Sequence, residues 1–154
     1  MDAITLLKSD HEKVSAIFEK LEPTTERALK TREELFAKLK AELDVHAHIE
    51  ETIFYPAIIK NEEIKDIVME GLEEHKQAKT LLREIPNLSD GSEKFEAKLK
   101  VLMEDIEHHV KEEEEEMFPK VKKAFDKEEL EELGAELETA KQDFKKSYKA
   151  SAGK

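Results

Sequence analysis

Apolar residues recur along this chain at steps of three and four, the spacing that lines up one face of an α-helix. Ile4, Leu7, Val14, Phe18 and Leu21 form one such stripe, and His11 stands where the next apolar residue belongs. The pattern predicts a helix from about Ala3 to Glu22, ended by Pro23, because the residue before a proline disfavours helical geometry. A second helix is expected from Thr24 or Thr25, either able to cap it, to about Lys60. Its stripe reads Leu35 or Phe36, Leu39, Leu43, His46, Glu50, Ile53 and Ala57. Pro56 lacks an N–H and should bend the last turn without ending the helix. Asn61 caps a third helix, with a stripe of Ile64, Val68, Gly71, His75, Ala78, Leu82 and Ile85. The cluster Pro86-Asn-Leu-Ser-Asp-Gly91 reads as a turn. A fourth helix begins near Ser92 and carries Phe95, Leu99, Leu102, Ile106, His109, Glu113 and Met117, continuing past Pro119 to about Phe125. Asp126 then caps a fifth, from about Lys127 to Lys149. Its stripe of Leu130, Leu133, Leu137, Phe144 and Tyr148 holds no histidine, which predicts packing outside the bundle.

The pattern repeats. His46-Ala-His-Ile-Glu50-Glu-Thr-Ile-Phe-Tyr-Pro56 returns 63 residues later as His109-Val-Lys-Glu-Glu113-Glu-Glu-Glu-Met-Phe-Pro119. Both have His first, Glu fifth and sixth, and an aromatic-Pro pair last. Each also has an upstream histidine, His11 before His46 and His75 before His109, at nearly equal separation. A helical hairpin has been duplicated. The expected fold is all-α: an up-down-up-down antiparallel four-helix bundle over residues 1–125, with a C-terminal amphipathic helix over 126–150 packed on it and a frayed tail at 151–154.

Composition narrows the function classes. The 154 residues are 42% charged and 38% apolar, with four Gly and four Pro, as suits amphipathic helices with charged outer faces. A net charge of −12 opposes nucleic acid or an anionic membrane as partner. With no cysteine, thiolate chemistry and iron–sulfur clusters are unavailable. No apolar run approaches the ~20 residues of a membrane span, and the first residues lack the basic and apolar segments of an export signal. A cytoplasmic protein, monomeric or weakly dimeric, is expected.

Four stripes each place one histidine where a core residue belongs, and two add a glutamate four residues on. Burying six such groups without partners would cost at least ~1–3 kcal/mol each, against a total stability of ~5–15 kcal/mol. Metal ions satisfy them directly, imidazoles binding each ion and carboxylates bridging a pair. Imidazole with carboxylate suits iron, manganese or zinc.

Over roughly Asp2 to Phe125 the chain resembles the hemerythrin-like, HHE cation-binding domain family. The match is carried by Asp10-His11-Glu-Lys-Val, His46…Glu50-Glu51…Tyr-Pro56, Glu74-His75 and His109…Glu113-Glu114…Phe-Pro119. The resemblance implies a four-helix bundle with two iron ions in an oxo- or hydroxo-bridged centre. His11, His46, His75 and His109 would be terminal ligands, and Glu50 and Glu113 the bridges. Members bind O2, sense O2 or iron, or handle peroxide or nitric oxide. One departure bears on function. Oxygen-carrying hemerythrins have a His-x-x-x-His pair on the third helix and an Asp as second bridge; here Gly71 stands four before His75, and the second bridge is Glu113. A mid-helix glycine costs ~1 kcal/mol relative to alanine, so Gly71 either leaves room for water, O2 or peroxide at the metal, or lets two helices approach closely or merely weakens the helix.

Other candidates are set aside. His48 is expected at the surface, and His108 at the surface or behind a ligand; Glu112 and Glu114–Glu116 read mainly as a solvated acidic face, with Glu116, on the side of Glu113, a further candidate to support or join the ligands. Asp10, Glu12 and Glu74 are placed to accept hydrogen bonds from ligand imidazoles. Tyr55 and Phe118 read as core aromatics, with the Tyr55 phenol within a turn of the site. The leading expectation is a non-haem di-iron protein binding O2 or a related small ligand for storage, delivery or sensing. The alternatives are a di-iron peroxidase or catalase-like enzyme and a structural-zinc or iron-buffering module.

Overall fold

The computed structural model describes residues 1–88 and 93–152, and among these the regular structure is entirely helical. Helix α1 spans Ala3–Leu21, α2 Leu29–Ile49, α3 Tyr55–Ile58, α4 Glu62–Glu84, α5 Glu93–Glu112, α6 Phe118–Ala124 and α7 Lys127–Ala152. Helices α2 and α3 form one rod joined by a π-helical turn, Glu50–Phe54; α5 and α6 form another through Glu113–Met117. With α1 and α4 these rods make the antiparallel four-helix bundle expected from the duplicated hairpin. Helix α7 lies outside it against α1 and α2.

The ends follow local chemistry. Asp2 accepts from the Thr5 N–H at 2.8 Å and Asn61 from the Glu63 N–H at 2.9 Å, capping α1 and α4. Asp126 and Glu129 exchange side-chain-to-backbone hydrogen bonds at the start of α7, a reciprocal capping box. The second rod begins later than expected. The Thr24 hydroxyl donates to Leu21 O at 2.6 Å, and Thr25 caps only a short 3₁₀ turn, Glu26–Ala28, ahead of α2. At the other end α7 runs to Ala152, beyond the expected Lys149. Part of the expected Pro86–Gly91 turn, Ser89 to Gly91, and the Ser92 helix start lie outside the described residues; Ile85–Leu88 form a 3₁₀ turn. Gly153 and Lys154 of the expected tail also lie outside them.

The two π turns occupy equivalent places in the repeat and have the same cause. A π turn bonds i to i+5, and the N–H of Tyr55 reaches Glu50 O while that of Phe118 reaches Glu113 O. Each is followed by a proline, Pro56 or Pro119, which cannot supply the next donor of a regular helix. The extra residue advances the register. Phe54, Tyr55 and Ile58 are buried after Glu50, whereas the expected Ala57 is exposed.

The core has two apolar parts. One, at the proline end, gathers Leu7, Ile49, Phe54, Ile58, Val68, Phe118 and Val121 with Leu130, Leu133 and Leu137 of α7. The other packs Val14, Phe18, Leu39, Leu82, Phe95 and Leu102. Between them lies a layer of buried polar side chains.

Candidate metal centre

That layer consists of His11, His46, Glu50, His75, His109 and Glu113, each less than a tenth exposed. Helix α1 supplies His11, α4 His75, and the two rods the remaining pairs at i, i+4. Glu50 and Glu113 open the two π turns, so the widened helix begins at the carboxylates themselves.

The donors fall into two overlapping groups. One holds a ligand atom each from His11, His46, Glu50 and Glu113 within 4.8 Å of one another; the other likewise joins Glu50, His75 and His109. His11 Nε2 faces Glu113 Oε1 at 3.0 Å, and His75 Nε2 faces Glu50 Oε1 at 3.1 Å. His46 Nε2 stands 3.2 Å from Glu50 Oε1, yet it makes no hydrogen bond, and Glu50 Oε2 is likewise buried without a partner. Buried polar atoms are rarely orphaned. Here a nitrogen and an oxygen lone pair, both good ligands for hard or borderline metals, are left over within one cluster. The donor set fits metal cations.

Behind each imidazole stands a second carboxylate. Nδ1 of His11 meets Glu114 at 2.7 Å, His46 meets Asp10 at 3.1 Å, His75 meets Glu51 at 2.8 Å, and His109 meets Glu74 at 2.7 Å. An ionised carboxylate only accepts, so each Nδ1 carries the proton and each Nε2 points inward, the arrangement that orients metal-binding histidines. These supports obey the repeat. Asp10 and Glu74 each precede the first histidine of a half, whereas Glu51 and Glu114 each follow its glutamate. The latter two cross over, each half supporting a histidine of the other.

Proton affinities follow from this crowding. Burial alone would lower the His46 pKa, but Glu50, Asp10 and Glu113 together raise it to about 10. Against the same effect of burial, Glu50 and Glu51 raise His75, and Glu113, Glu50 and Glu74 raise His109 well above its ordinary value. Burial works to protonate Glu50, yet His46 and its other partners hold it well below the ordinary value. Without an ion, the raised values favour second protons on His46, His75 and His109. A metal would exchange with them.

Gly71 does not open a space at the site. The Tyr55 hydroxyl fills it, donating to Glu113 Oε2 at 2.6 Å, with Glu50 Oε1 at 3.3 Å and His109 Nε2 at 3.5 Å. A β-carbon on Gly71 would meet that hydroxyl at 3.0 Å and His109 Cε1 at 3.3 Å. What comes close to Gly71 is thus a pair of side chains, not the backbone of a second helix. Burial first, then Glu113 and Glu50, raise the Tyr55 pKa well above 10, so the phenol stays protonated and donates. Phe118 holds the equivalent place in the second half and stacks on His11, as Tyr55 does on His75.

The remaining candidates divide. Asp10 and Glu74 accept from imidazoles as expected, while Glu12 and Glu116 are exposed. Glu51 and Glu114 are more than surface acids; their place in the repeat was the available signal. His48 is half-buried, stacked on Phe144 of α7 with ring centroids 4.2 Å apart, because α7 covers the face left to solvent by four helices alone. Lys141 went unnoticed. Nearly buried, it fills the gap in the α7 stripe between Leu137 and Phe144 and pairs with Asp10. The gap itself, four after one apolar residue and three before the next, was the mark it left. Among the described residues, no helix is long and apolar enough to cross a membrane.

A cavity of about 40 Å³ adjoins the four imidazoles on the side away from Tyr55. Val14, Leu43, Ala47, Ala78, Leu82, Ile106 and Val110 form its apolar wall, with Asp44 and Lys79 also on its lining.

Residues 2–121 match the Hemerythrin HHE cation binding domain. A hemerythrin HHE cation binding domain-containing protein from Mycobacterium kansasii, solved by crystallography, superposes with a TM-score of 0.83 at 26% identity, over 96% of this chain and 89% of that one. A protein named DNA nickase from a Nostoc species is 26% identical over 141 residues, or 92% of this chain; the chain spans 39% of that relative's length. The duplicated His-and-Glu layer, the bundle that encloses it and the match over residues 2–121 together make this chain a member of the hemerythrin HHE cation-binding domain family.

Proposed function

We propose that the buried layer holds two iron ions, with His11 and His46 on one, His75 and His109 on the other, and Glu50 and Glu113 bridging them. The observation that carries this reading is the pair of buried, unpartnered ligand atoms, His46 Nε2 and Glu50 Oε2, amid converging donors. Charge supports the number of ions. Six carboxylates (Asp10, Glu50, Glu51, Glu74, Glu113 and Glu114) face two ammonium groups, Lys79 and Lys141. With neutral imidazoles this leaves four negative charges, which two divalent cations would balance.

Iron in such a site supplies redox chemistry towards O2 or a related small ligand such as nitric oxide. The protein's part is positional. Carboxylates behind the imidazoles fix ring orientation, the two apolar layers exclude bulk water, and the cavity beside the histidines has room for one small molecule. Its mainly apolar wall favours a diatomic gas over a ligand that must keep several hydrogen bonds. Storage, delivery or sensing of O2 is the function this supports best, in a bundle of residues 1–125 with α7 packed on it. The nickase name is not carried over, since a net charge of −12 opposes binding to a phosphate backbone.

A second reading has one observation in its favour. The Tyr55 hydroxyl is a buried proton donor beside both bridging carboxylates, as peroxide cleavage would use. The two separate in one experiment. Anaerobic protein loaded with ferrous iron is exposed to air and then to hydrogen peroxide while the near-ultraviolet and visible spectrum is recorded. New bands in air, reversed when O2 is removed, support ligand binding. Sustained peroxide consumption that falls at least tenfold in Tyr55→Phe supports the enzyme. A spectrum silent to both contradicts the di-iron proposal.

A further inference from the structure

Four carboxylates stand behind the four imidazoles, but they are not equally held. Glu114 and Glu74 lie at the rim. Glu51 is gripped by Lys79, whose side chain is 43% exposed. Asp10 alone is fully enclosed, and its second oxygen is taken by an equally buried ammonium, that of Lys141.

Lys141 belongs to α7, the element outside both the duplicated hairpins and the matched residues 2–121. On the apolar stripe of that helix a leucine would bury its side chain without desolvating a charge. A buried ammonium is tolerated only when paired, and replacing such pairs by apolar groups is often neutral or stabilising. The lysine therefore calls for a reason beyond docking the helix. Its partner supplies one. Asp10 offers Oδ1 to Lys141 and Oδ2 to His46 Nδ1, so a single carboxylate links α7 to an imidazole of the polar layer. Helix α7 also holds α2 at the residues two before and two after His46, on the face turned away from the polar layer. Phe144 stacks on His48, and the Tyr148 hydroxyl donates to Asp44 at 3.2 Å.

We propose that Lys141 is a positioning residue for the metal centre: through Asp10 it fixes the ring of His46, so that the ion shared by His11 and His46 is retained only while α7 is docked. The inference rests on the di-iron reading above. It makes the two metal positions unequal. The His75 and His109 position has its own supports, Glu51 and Glu74, whose hydrogen bonds run to α4 and α5 rather than to α7. The C-terminal helix thereby controls how tightly one of two ions is held.

The test uses the full chain loaded anaerobically with ferrous iron and challenged with a colorimetric ferrous chelator. Wild type should release two ions slowly. Lys141→Met keeps the length and apolar character of the stripe but removes the charge; one ion should leave at least tenfold faster, as loss of a ligand's hydrogen-bond support does elsewhere, while the other leaves at the wild-type rate. Lys141→Arg should restore slow release of both. Should Lys141→Met not fold, as judged by circular dichroism, Lys141→Gln makes the same comparison. Equal release of both ions from folded neutral variants and wild type, with only a lower Tm, overturns the proposal and leaves Lys141 as a docking contact. A wild type that holds fewer than two ions fails at an earlier step, overturning the di-iron reading and this inference with it.

Discussion

Gly71 and Tyr55 form a matched pair. A glycine in mid-helix forfeits about 1 kcal/mol against alanine, and the space it leaves is taken by a phenol pinned by Glu113 at 2.6 Å. Gly71→Ala should therefore lose stability despite its better helix propensity, by about 1 kcal/mol, or a Tm drop of roughly 2–4 °C for a chain this size. The new methyl meets a hydroxyl that has little freedom to retreat. In the Tyr55→Phe background the same substitution should be neutral or stabilising, a coupling that a double-mutant cycle of thermal melts would read. An equal loss in both backgrounds would mean that the hydroxyl is not the obstacle. The six inner residues of the layer were legible because each interrupts an apolar stripe, and the repeat vouches for each twice. The place of the Tyr55 hydroxyl was not, because it depends on a register shift that no periodicity announces.

That shift belongs to the helices. A stripe counted at 3.6 residues per turn runs correctly from Leu39 to Glu50, then fails by one residue because the π turn inserts an extra position before Pro56. The aromatic-Pro ending of each repeat marked the place, but its effect was expected as a bend. Helix existence, order and caps at Asn61 and Asp126 followed from side-chain chemistry within a few residues, which is why they were readable. The capping box opening α7 predicts that Asp126→Ala costs about 1 kcal/mol, measurable as an earlier thermal or urea midpoint. Leu137→Ala, at a fully buried position where α7 meets the bundle, should cost about 2–5 kcal/mol. If it costs under 1 kcal/mol, α7 is not firmly docked in solution. The role of α7 beyond packing was hidden because Lys141 looks like any surface lysine until its partner, 131 residues earlier in the chain, is known.

For the whole molecule, the polar layer sets how stability responds to pH and metal. In the metal-free chain the folded pKa of His46 is raised from 6.5 to about 10, facing Asp10 of α1, Glu50 of its own rod and Glu113 of the other. Its contribution is complete below pH 6.5 and is lost as pH rises through about 10. Glu50 and Asp10 are held below 4.5 and 3.8, so theirs is present above those values and lost in acid. The metal-free protein should therefore melt highest between about pH 4.5 and 6.5 and lose stability into alkali. A Tm that climbs steadily from pH 6 to 9 would contradict the charge arrangement. Metal loading should run the other way, weakening in acid as protons compete for the imidazoles. At free metal about 1,000-fold above Kd it should add about 4 kcal/mol of stability, gained on loading and lost to a chelator.

One buried layer is proposed to hold two metal ions. The most direct measurement is iron per chain, by elemental analysis after anaerobic loading and gel filtration, for wild type and for the His46→Ala/His109→Ala double variant. Two ions per chain in wild type, falling towards none in the variant, is the predicted result. Fewer than two in wild type, or the same count in both, would contradict it.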